Sequence, residues 1–331
     1  MGGGSYSRSV YSSSSSWSSG SSSKSRSSSS SGGSDTASKK MSSTSLDKSM
    51  LPKGKVIRSN SKNPIIVALD VTGSNTKIAK IVYDKMPMFY GQIEQQGYLD
   101  DFDVCFMAVG DAHHDDYPLQ VTDFAKGIAL DSWLEKVVLE GGGGPWGEES
   151  YNLAAEYLNQ SFEFDADATP RVFFIADECM YDTVEYSHWK KHISDKERPN
   201  DSQMSKKAIF ERLQNKVSDN IFCLNPSDKE RVLGEWENVL PSQNVIRIKG
   251  DGKEIIDLIL GTIALTSQTR DINSYQLDMK NRGQDTKRIE TVAGALQNLN
   301  DSLALTVVDD KLRGVSPFNG VKKTKNKSNL L

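Results

Sequence analysis

Three uninterrupted apolar runs do most to limit what this chain can fold into. Residues 65–69 read Ile-Ile-Val-Ala-Leu and stop at Asp70; residues 104–109 read Val-Cys-Phe-Met-Ala-Val and stop at Gly110; residues 172–176 read Val-Phe-Phe-Ile-Ala and stop at Asp177. A strand with one face in water alternates apolar and polar residues, whereas one covered on both faces reads as a continuous run. Between the first two runs, Ile78, Ile81, Val82, Met86 and Phe89 suit an amphipathic helix over 76–92, which Pro87 is expected to kink or end. Further helices are expected over 124–139, 148–159, 203–216 and 254–264, with strands at 119–122 (an edge), 220–224 and 245–248. Strands alternating with helices predict an α/β fold: a doubly wound, mostly parallel sheet with helices on both faces.

Composition divides the chain into three parts. Residues 1–62 are mostly Ser and Gly and cannot bury enough apolar surface to offset the entropy of ordering, so a disordered arm is expected there. That arm carries ten Lys and Arg against Asp35 and Asp47, leaving 30 basic and 42 acidic residues for the remainder. The basic residues are scattered rather than clustered, so nucleic acid is not an expected partner. The domain proper is placed at 63–268. The tail, 269–331, is polar except for Ile289, Val292, Leu296, Leu299 and Leu303, which form one stripe on a helix over about 284–305. That helix is read as docked on the domain, with self-association through the stripe as the alternative.

Cys105, Cys179 and Cys223 contain no CxxC pair and are odd in number, which argues against a disulfide framework or a cysteine zinc site. No apolar stretch is long enough to span a membrane, and no apolar signal-peptide core follows Met1. A cytoplasmic protein is the expectation.

In parallel α/β sheets, ligands bind beyond the carboxyl ends of the strands. Asp70 and Asp177 end two of the buried runs, and Thr72 and Ser74 follow Asp70 at alternating positions before the first helix. Carboxylate and hydroxyl oxygens are hard donors that suit Mg²⁺, Mn²⁺ or Ca²⁺. The competing reading is plain helix capping by Asp70, Thr72 or Ser74.

The run Asp70-Val71-Thr72-Gly73-Ser74-Asn75, after a strand and before a helix, resembles the metal-ion-dependent adhesion motif (MIDAS) of von Willebrand factor A domains, in the version found in copines and in bacterial and phage members. Gly141 to Gly144 ahead of Glu148-Glu149-Ser150 resembles the family's glycine loop with its third ligand, and the strand ending at Asp177 resembles its Thr-Asp-Gly strand. The resemblance covers roughly the 63–268 region and implies a cation, Mg²⁺ or else Mn²⁺ or Ca²⁺, held by Asp70, Thr72, Ser74 and Asp177. No Thr follows the glycines, so Glu148 or Glu149 stands as a substitute. An added glutamate would strengthen resting metal binding and lower the site's appetite for a partner carboxylate. The resemblance also implies a protein partner whose acid completes the metal shell, with Trp146 and Glu178 setting specificity.

Three function classes follow. The first is a metal-dependent protein-binding module without enzymatic activity. The second is a structural or assembly protein, such as a phage component or an AAA+ ATPase accessory subunit, with a vestigial metal site. The third is a metal-assisted hydrolase, which needs a positioned base. His113-His114-Asp115-Asp116 offers ligand-type residues, but neighbours in an extended loop point opposite ways, so a solvated acidic loop is expected. His188 and His192 are spaced i, i+4 without a His-Glu-x-x-His pattern.

Overall fold

The computed structural model describes residues 46–127, 129–138, 142, 144, 147–249 and 252–314. Most of the expected arm and the basic end of the tail lie outside these residues. Residues 46–62, however, belong to the fold rather than to an arm. Met50, closing a short helical turn capped by Asp47, is fully buried. Strand β1 (Ile57–Ser59) is parallel to a strand contributed from a hundred residues later.

β2 (Asn63–Asp70) leads to α1 (Thr76–Gln96), which ends at Gly97 in the left-handed conformation with φ 63°. Of the two outcomes expected at Pro87, a kink or an end, the helix does not end there. Phe89, Tyr90 and Ile93 beyond it are buried. Their burial, about 1.5–3 kcal/mol each, outweighs the single backbone bond a proline forfeits. β3 (Phe102–Val109), β4 (Leu119–Val121) and α2 (Ala129–Leu134) follow, the last much shorter than the helix expected over 124–139.

Next come β5 (Glu148–Glu149), α3 (Tyr151–Ser161), β6 (Phe162–Phe164), which pairs with β1, and β7 (Arg171–Ile175). β8 (Cys179–Met180), α4 (Tyr186–His192), α5 (Lys206–Lys216), β9 (Ile221–Asn225) and α6 (Glu230–Glu237) continue the series. β10 (Val245–Arg247), α7 (Ile255–Thr266), α8 (Ile272–Asn281) and α9 (Thr286–Gly314) complete it.

The central sheet has six strands in the order β10-β9-β7-β2-β3-β4, all parallel except the β3–β4 edge pair. β2 shows why its sequence is apolar throughout. Ile65, Val67 and Leu69 enter one core with α1, α7, α8 and α9, and Ile66 and Ala68 enter the other with α3, α4, α5 and α6. This is the doubly wound α/β architecture that the run pattern predicts.

Among its described residues, the 269–331 segment departs from expectation in the number of its helices. It holds two helices rather than one, because Asp271 and Ser274 form a reciprocal cap that starts α8. Both helices belong to the domain core. Val292, Leu296 and Leu299 are buried together with Tyr275 and Met279 of α8. Gly261 of α7 allows this close approach, since a Cβ there would stand 2.5 Å from Leu296 and 2.7 Å from Tyr275. The apolar stripe is therefore already covered, and self-association through it is not supported. Among the described residues no helix is long and apolar enough to cross a membrane.

Candidate cation site at the carboxyl edge of the sheet

β2 and β7 are neighbours, yet the chain leaves β2 to build the β3 side of the sheet and leaves β7 to build the β9 side. Diverging connections of this kind open a crevice at the strand ends. Asp70 is the last residue of β2, and Asp177 lies just after β7.

Asp70 is fully buried. Its Oδ1 accepts hydrogen bonds from the Thr72 backbone N–H at 2.7 Å and the Thr72 hydroxyl at 2.6 Å, and its Oδ2 accepts from the Tyr151 hydroxyl. Asn75 donates to the Asp70 backbone carbonyl at 3.0 Å, tying the start of α1 back to the strand end. Ser74 is exposed with its hydroxyl 3.4 Å from that of Thr72. Burial, reinforced by the neighbouring Asp177 carboxylate, pushes the Asp70 carboxyl up to about 8.

Of the two candidate glutamates, only one is buried at this edge. β5 pairs with β8, setting Glu148 against Cys179 and Glu149 against Met180. Alternation along a strand turns the two side chains to opposite sides, and Glu149 is the buried one. Burial, then the charges of Asp70, Asp111, Asp115 and Asp177, push it up to about 9. Gly144 faces Asp111 and His114 instead: a Cβ there would stand 2.7 Å from the Asp111 carboxylate. Gly142 reaches the motif through its backbone, accepting from Gly73 N–H at 2.9 Å.

Sequence reading missed two members. Asp111 is a third strand-end acid, following β3 after Gly110, and it is fully buried. It accepts from the His113 backbone N–H at 2.9 Å and the Tyr181 hydroxyl at 3.1 Å, and it lies 2.5 Å from His114 Nδ1. Tyr151, fully buried at the start of α3, is the other. The Gly-Asp pair after an apolar run was the available signal for Asp111; nothing local marks Tyr151.

Two buried oxygens in this cluster, Asp177 Oδ1 and Glu149 Oε2, accept no hydrogen bond. Among the described residues no Lys or Arg forms an ion pair with Asp70, Asp111, Glu149 or Asp177. Buried carboxylates are rarely left in this condition without a counter-charge. An all-oxygen donor set with orphaned acids fits a hard divalent cation. Beside it, Ser74, Asp177, Glu178, Ser227, Lys77 and Lys229 line an open groove of about 300 Å³.

The two residues expected to contact a partner fare differently. Trp146 lies outside the described residues. Glu178 lines the groove, but one oxygen is 2.5 Å from Lys229 Nζ and its backbone carbonyl accepts from the Trp236 indole at 3.2 Å. The loop 113–116 is not simply a solvated acidic loop. Asp115 turns inward and accepts from the Asp111 N–H at 2.7 Å, while the His113 ring lies tilted against Tyr181 at 4.3 Å between ring centroids. His192 is buried, and burial lowers it to about 4, whereas the His188 ring lies 4.4 Å from that of His113.

No known protein family and no curated protein matches the chain. Among solved structures, it is similar to proximal thread matrix protein 1 of the mussel byssus, 12% identical over 62% of this chain and 49% of that one, with a TM-score of 0.41. The same mussel protein with a zinc-occupied MIDAS motif aligns at 10% identity over 62% and 49% of the two chains, with a TM-score of 0.43. The pilus adhesin SpaC of Lactobacillus rhamnosus GG aligns at 9% identity over 65% and 32%, with a TM-score of 0.45. The chain thus spans about half of the first protein and a third of the second.

Proposed function

We propose that this chain is a cation-dependent protein-binding module of the von Willebrand factor A type, of the copine-like or bacterial and phage kind, acting in the cytoplasm. One observation carries the reading: Asp177 Oδ1 and Glu149 Oε2 are buried beside Asp70 with, among the described residues, no hydrogen-bond donor and no Lys or Arg paired with them. Asp70, Thr72, Ser74 and Asp177 would hold the cation, Mg²⁺ first and Mn²⁺ or Ca²⁺ as alternatives, with Glu149 behind them. When bound, the ion supplies the positive charge these acids lack and a position open to a carboxylate of the partner.

The residues around it serve recognition. Thr72 and Tyr151 fix the Asp70 carboxyl by hydrogen bonds to both of its oxygens. Lys77 and Lys229 on the groove rim favour an acidic protein segment, and the groove admits a side chain beside Ser74. The three cysteines are free and buried, which fits a reducing compartment. Binding rather than catalysis is the proposal, so phosphoesters and peptides should not be turned over.

The test is thermal unfolding of the EDTA-treated protein with and without Mg²⁺ or Mn²⁺. At a hundredfold excess over its Kd, a ligand adds about 2.7 kcal/mol, which on a domain of this size raises Tm by roughly 5–10 °C. Asp70→Ala should abolish the rise. A wild-type protein that shows no rise in excess cation would overturn the reading in favour of a structural or assembly role.

A further inference from the structure

A second group of ligand-type side chains stands on the same edge of the sheet, apart from the Asp70 site. His113 comes from the turn after β3, and Glu185 and His188 come from the start of α4, more than seventy residues later in the chain. Glu185 is the N-cap of that helix and His188 lies three residues on, so both project from the same end of it. One ligand atom from each of the three side chains lies within 4.8 Å of the other two.

We propose that His113, Glu185 and His188 form a zinc site. Two imidazoles and one carboxylate are a donor set that suits Zn²⁺, whereas the all-oxygen cluster around Asp70 suits Mg²⁺. A tetrahedral zinc with bonds of about 2.0–2.2 Å holds its ligand atoms about 3.4 Å apart. The three groups therefore need to close by an ångström or so. His113 and Glu185 are exposed, so rotation about their side-chain bonds achieves this without moving the core.

The surroundings orient the ligands. The His113 ring packs on Tyr181 at 4.3 Å and meets the His188 ring edge-on at 4.4 Å. The His113 backbone is fixed by its N–H on Asp111 Oδ1, and the Tyr181 hydroxyl bonds the other oxygen of Asp111. Such outer contacts are what hold zinc-binding histidines in place. Three protein ligands leave the fourth position to water or to a side chain of a partner. The bound ion would pin α4 to the β3–β4 turn, beside the acid cluster yet sharing none of its four proposed ligands.

The experiment is a zinc titration of the full chain, stripped with EDTA and then held in millimolar Mg²⁺ so that the Asp70 site is filled. A chromophoric chelator competes for the zinc. The expected result is one tight equivalent of Zn²⁺, retained in Asp70→Ala and weakened at least about tenfold in His113→Ala and in His188→Ala. Substitution by Co²⁺ should give the intense visible bands of a four-coordinate centre. His113→Cys, which keeps a ligand, should restore binding, and matched unfolding curves would show that the variants fold. An equivalent of zinc that survives both histidine substitutions, or that disappears in Asp70→Ala, overturns the proposal. So does the absence of any tight equivalent, which would leave the two rings as aromatic packing only.

Discussion

Two of the places where this molecule buries carboxylates neutralise them differently. Asp257 of α7, 4% exposed, receives the Arg282 guanidinium at 3.2 Å and the Arg288 guanidinium at 2.5 Å. The chain provides its own cations there, from the segment that packs α8 and α9 onto the sheet. At the carboxyl edge, Asp70, Asp111, Glu149 and Asp177 converge without an ion pair to any Lys or Arg among the described residues, and two oxygens have no donor among them. A charge supplied from within the chain is permanent and suits a structural joint. A charge that has to come from solution can be exchanged, and it ties the state of the site to its surroundings.

The contrast can be broken most sharply at the arginine side. Arg282→Met leaves Asp257 short of one partner, and removing one member of a buried ion pair costs about 3–5 kcal/mol. Chemical denaturation should show that loss, and Tm should fall by roughly 10 °C, with or without divalent cation. If the same variant also lost its response to Mg²⁺, the two regions would not be independent and the comparison would fail.

The acid edge should reveal itself through pH. Burial and mutual repulsion raise Asp70 to about 8 and Glu149 to about 9, whereas unfolded carboxyls titrate near 4. Between these limits the folded state binds more protons than the unfolded one, so stability falls as pH rises. In EDTA, Tm should therefore drop by several degrees between about pH 5 and pH 9. The charges of Asp111, Asp115 and Asp177 are among the causes of the raised Glu149 carboxyl. Divalent cation should flatten it, because the ion takes over from the protons, and Asp70→Asn should flatten it in part without any cation. A Tm that rises with pH in EDTA would contradict the raised carboxyls.

How much of this was legible beforehand follows from physical scale. β2, β3 and β7 were readable because a strand buried on both faces has no polar residue to interrupt it. Asp70 and Asp177 were readable because each directly ends such a run. Asp111 was not, since Gly110 separates it from β3 and four polar residues, His113 to Asp116, follow at once. The choice between Glu148 and Glu149 rests on pairing of the two-residue strands β5 and β8, too short for any periodicity to show. α6 and α8 were missed because they are short and highly polar, and their stability comes from a few buried residues such as Trp236 and Tyr275. The two halves of the histidine cluster were both visible, but a local pattern cannot bring His113 to His188. Only the β3–β4 turn and α4 meeting at one edge does that.

The smallest expected effect on stability is the most discriminating for the donor set. Ser74 is exposed, and its hydroxyl makes only a 3.4 Å contact with Thr72. Ser74→Ala should therefore change the stability of the cation-free protein by no more than about 0.5 kcal/mol. Thr72→Ala should cost more, since the Thr72 hydroxyl donates to Asp70 at 2.6 Å in the absence of any ion. In cation the order should reverse in relative terms: Ser74→Ala loses roughly tenfold in affinity, about 1.4 kcal/mol, despite its near-silent apo behaviour. Calorimetric titration of both variants with Mn²⁺ measures this directly. A Ser74→Ala protein that binds Mn²⁺ as tightly as the wild type would remove Ser74 from the shell. The acids alone would then hold the ion, and the exposed hydroxyl would be no more than part of the turn into α1.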